Sequence, residues 1–352
     1  MSTERELIAD SVDAPDRPRL IFFTELEGSA LLDLLRRPGL LDRLAAEQYS
    51  IALSVARLDE ARALAARTLA GRDIPLIAWL LLPPEEGFAF NLQNYPQAFA
   101  HYRAFRAWAL DHRLDFEAVG LEIETPTDED PRSPQWGLRE VARRFWLAGE
   151  NVLYPSAQAA YTEMIAAIRH DGYAVHTYQM PFVADDRRAG TTLVQRALDI
   201  IDLPSDLDVL MCSSCVPSEP LDDDLGGALI ASYGASADAI GIGSTGEADA
   251  GEAGARLPWP ALRRDLLLAA RFTDTIYVFS LEDCVERGLL EGIAALDWHA
   301  PTRAAPGKRV LVRGLRWMLF ALLIAGRFGP SALAWAGWPL AAVLWWRGRR
   351  KR

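Results

Sequence analysis

Three glutamates stand where two apolar runs of the sequence end. Glu122 and Glu124 alternate at the end of Ala118–Glu124, and Glu282 follows the run that closes with Ser280 and Leu281. Paired carboxylates do general acid work together with nucleophile or base work when one is kept protonated and the other charged. We therefore predict chemistry at a glycosidic bond, with Glu124 as acid/base and Glu282 or Glu122 as its carboxylate partner.

The alternative for these acids is structural. Glutamates at loop edges are often solvated or held in ion pairs, and Arg57, Arg187 and Arg188 are the partners that this sequence offers.

Further polar residues are candidates for substrate binding at the same rim. They are Glu25 after the first predicted strand, Asn91, Gln93 and Asn94 after the third, and His176, Tyr178 and Gln179 on the fifth. Aromatic rings and amides of this kind bind sugars, and Phe88 and Phe90 directly precede the amides. The alternative is that the amides form turns and that His176 is a core residue.

These residues need a scaffold that brings strand ends together, and the sequence predicts one. Eight short apolar segments each precede a helical pattern: Leu20–Leu26, Ser50–Ala56, Leu76–Leu82, Ala118–Glu124, Ala174–Met180, Asp208–Ser213, Ala239–Ser244 and Thr275–Leu281. Alternation of strands and helices indicates parallel βα units. Eight units over residues 19–300 predict an α/β fold, a (β/α)8 TIM barrel, whose active face lies at the carboxyl ends of the strands.

The helical patterns between the strands are distinct. Arg57–Arg72, Tyr95–Leu114 and Pro258–Phe272 have apolar residues at helical spacing, and Leu138–His170 is interpreted as two helices separated near Gly149. The segment Glu247–Arg256 is predicted to be an exposed loop.

The fourth predicted strand resembles the strand-four signature of glycoside hydrolases of the chitinase type. That signature has the form D-x-x-D-x-D-x-E, and here its positions are Glu117, Gly120, Glu122 and Glu124. The resemblance implies a sugar-processing barrel with Glu124 in the place of the proton donor. Glu replaces Asp twice, and Gly120 replaces the middle acid.

Charge is unevenly distributed along the chain. The segment from Trp298 to the end contains no acid and eleven of the 37 basic residues, which leaves 26 basic against 48 acidic residues upstream. An acidic body repels phosphate backbones, so nucleic acid is not an expected partner. Because the chain has only three cysteines, and its N-terminal tail before Arg19 has no apolar run, we expect no disulfide framework and no secretory signal.

The C-terminal segment is predicted to associate with a membrane. Residues 315–346 are apolar and rich in Trp; a basic linker at 301–314 precedes them, and a basic tail at 347–352 follows. Aromatic belts and basic flanks are typical of membrane segments. A hydrophobic helical hairpin that turns at Gly326–Pro330 would keep Arg327 at an interface, with the barrel cytoplasmic. The alternative is a soluble hairpin that covers the barrel.

No cofactor or metal is predicted. Cys212 and Cys215 could hold a catalytic zinc with His176, but small buried thiols are the preferred interpretation. The rival to an enzyme is a non-catalytic, membrane-associated barrel that serves as a sugar-binding or protein-interaction scaffold.

Overall fold

The computed structural model describes residues 17–126, 138–212, 225–243 and 256–349; beyond Phe328 only the helical backbone is described. Its eight strands are β1 Arg19–Thr24, β2 Ser50–Ser54, β3 Leu76–Leu80, β4 Ala118–Glu122, β5 Ala174–Gln179, β6 Leu207–Met211, β7 Ala239–Gly243 and β8 Thr275–Phe279. Each strand pairs in parallel with the next, and β8 closes the ring on β1. The predicted TIM barrel is confirmed.

Thirteen α-helices are assigned in the described residues. They are α1 Gly28–Leu35, α2 Leu40–Ala46, α3 Glu60–Ala70, α4 Tyr95–Asp111, α5 Leu138–Leu147, α6 Leu153–His170, α7 Val183–Ala189, α8 Leu193–Ala197, α9 Gly226–Tyr233, α10 Trp259–Ala269, α11 Leu281–Glu286, α12 Leu289–Ala294 and α13 Pro306–Arg349. The predicted helices between strands are present. A short 3-10 turn over Ala148–Glu150 separates α5 and α6, where the sequence predicted a break. The predicted loop 247–256 lies almost wholly outside the described residues.

Strand β4 separates its side chains as the alternation predicts. Val119, Leu121 and Ile123 are buried in the apolar layer between the sheet and the helices, whereas Ala118 lies in the apolar cluster inside the barrel. Alternate residues of a strand point to opposite faces, so Gly120 and Glu122 share the inner face with Ala118.

Aromatic rings fill the barrel interior. Phe23 lies at the centre, with its ring centroid 4.7 Å from Trp79, 4.9 Å from Tyr178, 5.2 Å from Tyr277 and 6.3 Å from Phe279. Offset and edge-on ring contacts at these separations stabilise a core beyond simple burial. The rings form a solid floor beneath the mouth of the barrel.

Gly120 is the position at which this interior requires a glycine. A Cβ built on Gly120 would lie 2.2 Å from the Tyr178 hydroxyl and 2.6 Å from its ring carbons. The β5 tyrosine therefore fills the space that a side chain at position 120 would need.

The predicted C-terminal hairpin is not found. A single 44-residue helix, α13, begins at Pro306, within the expected linker, and continues through Gly326 and Pro330. Gly326 is a close-approach residue and not a turn, since a Cβ there would lie 2.5 Å from Leu193 of α8. The next residue, Arg327, donates from Nη1 to the Ala189 carbonyl oxygen at 2.6 Å.

Helix α13 packs against α7 and α9 on the outer wall of the barrel. Arg316 donates from Nη2 to Asp185 Oδ1 at 2.9 Å, and Asp185 is fully buried. The Tyr233 hydroxyl donates to the other carboxylate oxygen at 2.7 Å. Leu323 is also fully buried, so charge pairing and apolar burial together attach the helix.

None of the helices in the described part of the chain has the length and apolar character needed to cross a membrane. The predicted membrane segment therefore contains no membrane-spanning helix within the described residues.

Candidate functional site

The carboxyl end of β4 holds Glu122 and Glu124 in an extended backbone. The amide of Phe90, from the loop after β3, donates to the Glu122 carbonyl oxygen at 2.8 Å, and the Glu124 amide donates to the Phe90 carbonyl oxygen at 3.1 Å. On the other side, the Ile123 amide donates to the Tyr178 carbonyl oxygen at 3.0 Å. This extended pairing keeps Glu124 on the same side as Glu122, facing the mouth of the barrel.

Glu122 is bound from within the barrel. Its side chain is buried, and Oε2 accepts a hydrogen bond from the Trp79 indole nitrogen at 2.9 Å. Glu124 is half-buried, one step further out. Glu122 therefore lies deeper in the barrel than Glu124, although both are on the same side of the strand.

Glu282 lies at the mouth between β8 and β1. Ser280 follows β8 and caps α11, and Glu282 stands in the first turn of that helix. Its Oε1 lies 3.5 Å from the amide nitrogen of Glu25, just past the end of β1. Burial raises the pKa of the Glu282 carboxyl, which favours its protonated form.

Apolar side chains form the floor between the two sets of acids. Phe88 and Phe279 are only partly buried and pack against the interior cluster. The Trp79 indole, which binds Glu122, meets the Phe279 ring edge-on with 6.3 Å between centroids. The mouth therefore presents aromatic faces beside carboxyl groups, a combination of apolar lining and few polar groups that is typical of small-molecule sites.

Two of the residues predicted to bind substrate at the rim, Glu25 and Gln93, have exposed side chains. Glu25 is exposed beside Glu282. Gln93 is exposed and donates from Nε2 to Asp199 Oδ2 at 3.1 Å. Of these two residues, Glu25 is the one that lies beside a predicted catalytic carboxyl group.

Asn91 and Asn94 are structural residues of the loop after β3. Asn94 Oδ1 accepts from the Asn91 amide at 2.9 Å, and its Nδ2 donates to the Ala89 carbonyl oxygen at 2.9 Å. Asn91 Oδ1 accepts from the Gln93 amide at 2.9 Å. Both side chains are buried, so their amides are used in folding the turn rather than presented to a ligand.

His176 and Tyr178 lie inside the barrel, below the rim. The His176 Nδ1 and Tyr277 hydroxyl oxygen are 2.6 Å apart, and burial lowers the pKa of His176 to about 4. Tyr178 is one of the interior aromatic rings and is completely buried, and burial raises the pKa of its hydroxyl. We assign both residues to the core.

Gln179 faces the helices and not the mouth. Its Nε2 donates to Asp208 Oδ1 at 3.1 Å and to Asp202 Oδ1 at 3.3 Å on the outer side of the sheet. The prediction of a binding role overlooked the alternation of β5, in which Gln179 and Tyr178 point in opposite directions.

The arginines offered as structural partners for the glutamates have other contacts. Arg187 pairs with Asp202 and Asp208. The Arg188 guanidinium stacks over Phe320, 4.6 Å from the ring centroid. Arg57 lies 3.9 Å from the Glu27 carboxylate.

The strand-four signature is divided between the two ends of the barrel. Glu117 precedes β4 and pairs with Arg19 of β1 at the amino-terminal end. Gly120 is excluded from carrying an acid by the Tyr178 ring. Only Glu122 and Glu124 of the four positions therefore contribute carboxyl groups toward the mouth.

The geometry does not support the alternative zinc site. Cys212 is buried in the apolar layer outside the sheet, whereas His176 contacts Tyr277 inside the barrel. Cys215 lies outside the described residues. Within the described part of the chain, no group of three His, Cys, Asp or Glu side chains is placed to hold a metal ion.

Sequence reasoning missed Trp79 and Phe279 as parts of the site. Both follow from the alternation of their strands, since Ile77 and Trp79 share one face of β3, and Tyr277 and Phe279 share one face of β8. Their aromatic character was the available signal, since Trp79 stands among aliphatic residues in β3 and Phe279 follows Tyr277 on the same face of β8.

No family model matches the chain, and no curated protein is similar to it in sequence. Solved structures with a similar fold include a GH18 chitinase from Pseudoalteromonas aurantia, at 9% identity and a TM-score of 0.44, covering 78% of this chain and 98% of that one. The PgaB (BpsB) glycoside hydrolase domain from Bordetella bronchiseptica is 12% identical, with a TM-score of 0.44 and coverage of 81% and 100%. A family 2 AP endonuclease from Brucella melitensis is 14% identical, with a TM-score of 0.40 and coverage of 74% and 92%.

The fold of this chain is a (β/α)8 TIM barrel, as the closed ring of eight parallel strands shows. At these identities and TM-scores the likeness concerns the fold alone.

Proposed function

We propose that the mouth of the barrel binds a carbohydrate and catalyses hydrolysis or transfer at a glycosidic bond. The observation that carries this proposal is the placement of Glu122 and Glu124 at the end of β4 and of Glu282 beyond β8, with aromatic rings between them. Strands four and eight lie on opposite sides of an eight-stranded ring, so their acids can flank a bound sugar.

The pKa of Glu282 suggests a division of roles that differs from the sequence-based one. A glycosidase keeps one carboxyl group protonated to donate to the leaving oxygen while the other stays ionised. Burial raises the pKa of Glu282, so we assign it as the proton donor. Glu124 is then the carboxylate partner. Glu122 accepts a hydrogen bond from the Trp79 indole and so fixes the orientation of that ring beside Glu124.

The test is a screen of glycosides with the full chain, followed by Glu124→Gln and Glu282→Gln. Each substitution removes proton transfer or the negative charge with little change in shape, and we expect turnover to fall by about 100-fold or more. Glu117→Gln is the matched control, because Glu117 lies at the opposite end of the barrel and its exposed ion pair contributes little stability. Full turnover in both site variants would exclude this mechanism.

A second candidate function is carbohydrate or protein binding without turnover. The observation in its favour is the filled interior, in which Tyr178 occupies the space that the middle acid of the strand-four signature would need. Binding of an oligosaccharide with equal affinity by the wild type and by Glu282→Gln, without turnover in either protein, would support it.

We also propose that the C-terminal segment holds the barrel at a membrane, on the cytoplasmic side. The support is the composition of the segment from Trp298 to the end, which combines eleven basic residues and no acids with six of the eleven tryptophans. Anionic lipids attract basic segments of this kind, and Trp prefers the bilayer interface.

A further inference from the structure

Helix α13 has two apolar faces, and only one of them is covered by the barrel. On the inner face Val312 and Leu323 are buried, and Leu319, Phe320 and Ile324 pack partly buried against the core. The buried Arg316–Asp185 pair lies on this face. The barrel therefore fixes which side of the helix points outward.

The outer face is apolar as well. Leu315, Met318 and Leu322 follow helical spacing along it and are 47%, 57% and 59% exposed. Trp317, at 53%, lies at the edge between the outer and inner faces, where its ring meets Phe320 edge-on and the Arg188 guanidinium lies 5.2 Å from its centroid. An exposed apolar stripe of this length on a helix that is already packed marks a surface for a partner or a membrane.

A second exposed apolar group lies near the same wall of the barrel. Trp146 at the end of α5 is 87% exposed, and Val152 is 81% exposed. Helix α8 contacts α5 on one side and meets α13 through Leu193 and Gly326 on the other. Helix α8 therefore lies between the two exposed apolar groups and contacts both α5 and α13.

The exposed charges beside these groups include several basic residues and, between Trp146 and Val152, the exposed acid Glu150. Arg309 and Arg313 are exposed on α13, and Arg139 is exposed on α5, where the nearby Glu140 is paired with Arg143. Since α13 contains no acid, two copies of this face would bring like charges together, whereas an anionic surface would complement them.

We propose that this outer face, consisting of Leu315, Trp317, Met318 and Leu322 of α13 together with Trp146 and Val152, lies on a bilayer that contains anionic lipids. Helix α13 then rests in the plane of the interface while its inner face remains on the barrel, as an amphipathic helix binds a membrane without crossing it. The inference rests on the proposed membrane association and specifies its mode.

The experiment is co-sedimentation of the full chain with vesicles of mixed phosphatidylcholine and phosphatidylserine, and with pure phosphatidylcholine vesicles as comparison. We expect binding to the anionic vesicles to be at least tenfold stronger and to weaken at high salt, because charges are screened. We also expect alkaline carbonate to release the bound protein.

In the double variant Met318→Glu/Leu322→Glu, we expect binding to the anionic vesicles to fall by at least tenfold. Leu110→Glu is the matched control, since Leu110 is 57% exposed on α4, and it should bind as the wild type does. Circular dichroism confirms folding of each variant.

The outcomes separate the two levels of the proposal. Failure of the wild type to bind any vesicle would remove the membrane association itself. Wild-type binding that the double variant retains, or that resists carbonate, would overturn the interfacial mode alone. Lipid-free dimers that the double variant abolishes would assign the face to a second copy and would also overturn it. Glycoside turnover is an independent measurement in all of these cases.

Discussion

The acids in the outer wall of the barrel and those at its mouth have different surroundings, although both groups include buried carboxyl groups. In the wall, Asp185 pairs with Arg316 and Asp208 pairs with Arg187. At the mouth, Glu122 accepts a hydrogen bond from an indole, and Glu282 lies against a backbone amide with its pKa raised by burial.

Neighbouring residues show the same contrast. Asp283 pairs with Arg287 at 2.9 Å, whereas the adjacent Glu282 projects toward the end of β1. Burial also raises the pKa of Asp208 in the wall, and the adjacent Arg187 lowers it in part, because a paired cation offsets some of the cost of burying the charge. Burial of a carboxyl group such as that of Glu282 raises its pKa and favours the protonated form that a proton donor needs. The acids of the wall and those of the mouth therefore differ in the groups that bind them, whereas burial is common to both.

The largest effect on stability is expected in the wall. Arg316→Ala leaves the fully buried Asp185 without its cation, and removing one partner of a buried ion pair costs about 3–5 kcal/mol. Urea denaturation measures the loss. Arg313→Ala, an exposed position on the same helix, should change the free energy of unfolding by less than about 0.5 kcal/mol. Equal stability of the two variants would contradict the structural role of the pair.

The barrel interior should respond to pH through His176. Its pKa is lowered to about 4 by burial, helped by the charge of Arg19, whereas an unfolded histidine titrates near about 6.5. Between these values only the unfolded chain takes up the proton, so stability falls as pH decreases, by at most about 3 kcal/mol for this group. His176→Gln should reduce the difference in unfolding free energy between pH 7.5 and pH 4.5. An unchanged difference would show that His176 titrates normally.

The smallest expected effect is at Gly120. The methyl group of Gly120→Ala would overlap the Tyr178 ring, and overpacking of a core costs about 1–3 kcal/mol. Chemical denaturation should show this loss and its partial recovery when Tyr178→Leu is added. Gly314→Ala, at a helical position with open space around it, should be neutral or stabilising. An undiminished midpoint in Gly120→Ala would indicate that the interior has room for a side chain.

Most of the barrel could be predicted from the sequence, because buried parallel strands are apolar runs bounded by helical patterns. All eight strands lie where predicted, and their ends differ by one or two residues, as for β1, which ends at Thr24 and not Leu26. Because the strand ends were predicted to within two residues, the positions of Glu122, Glu124 and Glu282 near those ends could be predicted as well.

The remaining features depend on contacts between distant residues. The turn-forming roles of Asn91 and Asn94 and the outward direction of Gln179 are set by partners such as Ala89 and Asp208. The C-terminal segment was predicted to turn over Gly326–Pro330, since a glycine beside a proline, here Gly329 and Pro330, usually ends a helix. The sequence contains no local signal that Gly326 faces Leu193 or that Arg316 meets Asp185.

The catalytic role of the mouth carboxylates is tested most directly by the pH dependence of glycoside turnover in the wild type and in Glu282→Gln. A proton donor with a raised pKa predicts a wild-type kcat/KM that falls on the alkaline side at a pH above the ordinary glutamate range, and a variant that has lost both this limb and most of its rate. A Glu282→Gln protein with the wild-type rate and the wild-type profile would contradict the assignment of these carboxylates as the catalytic pair.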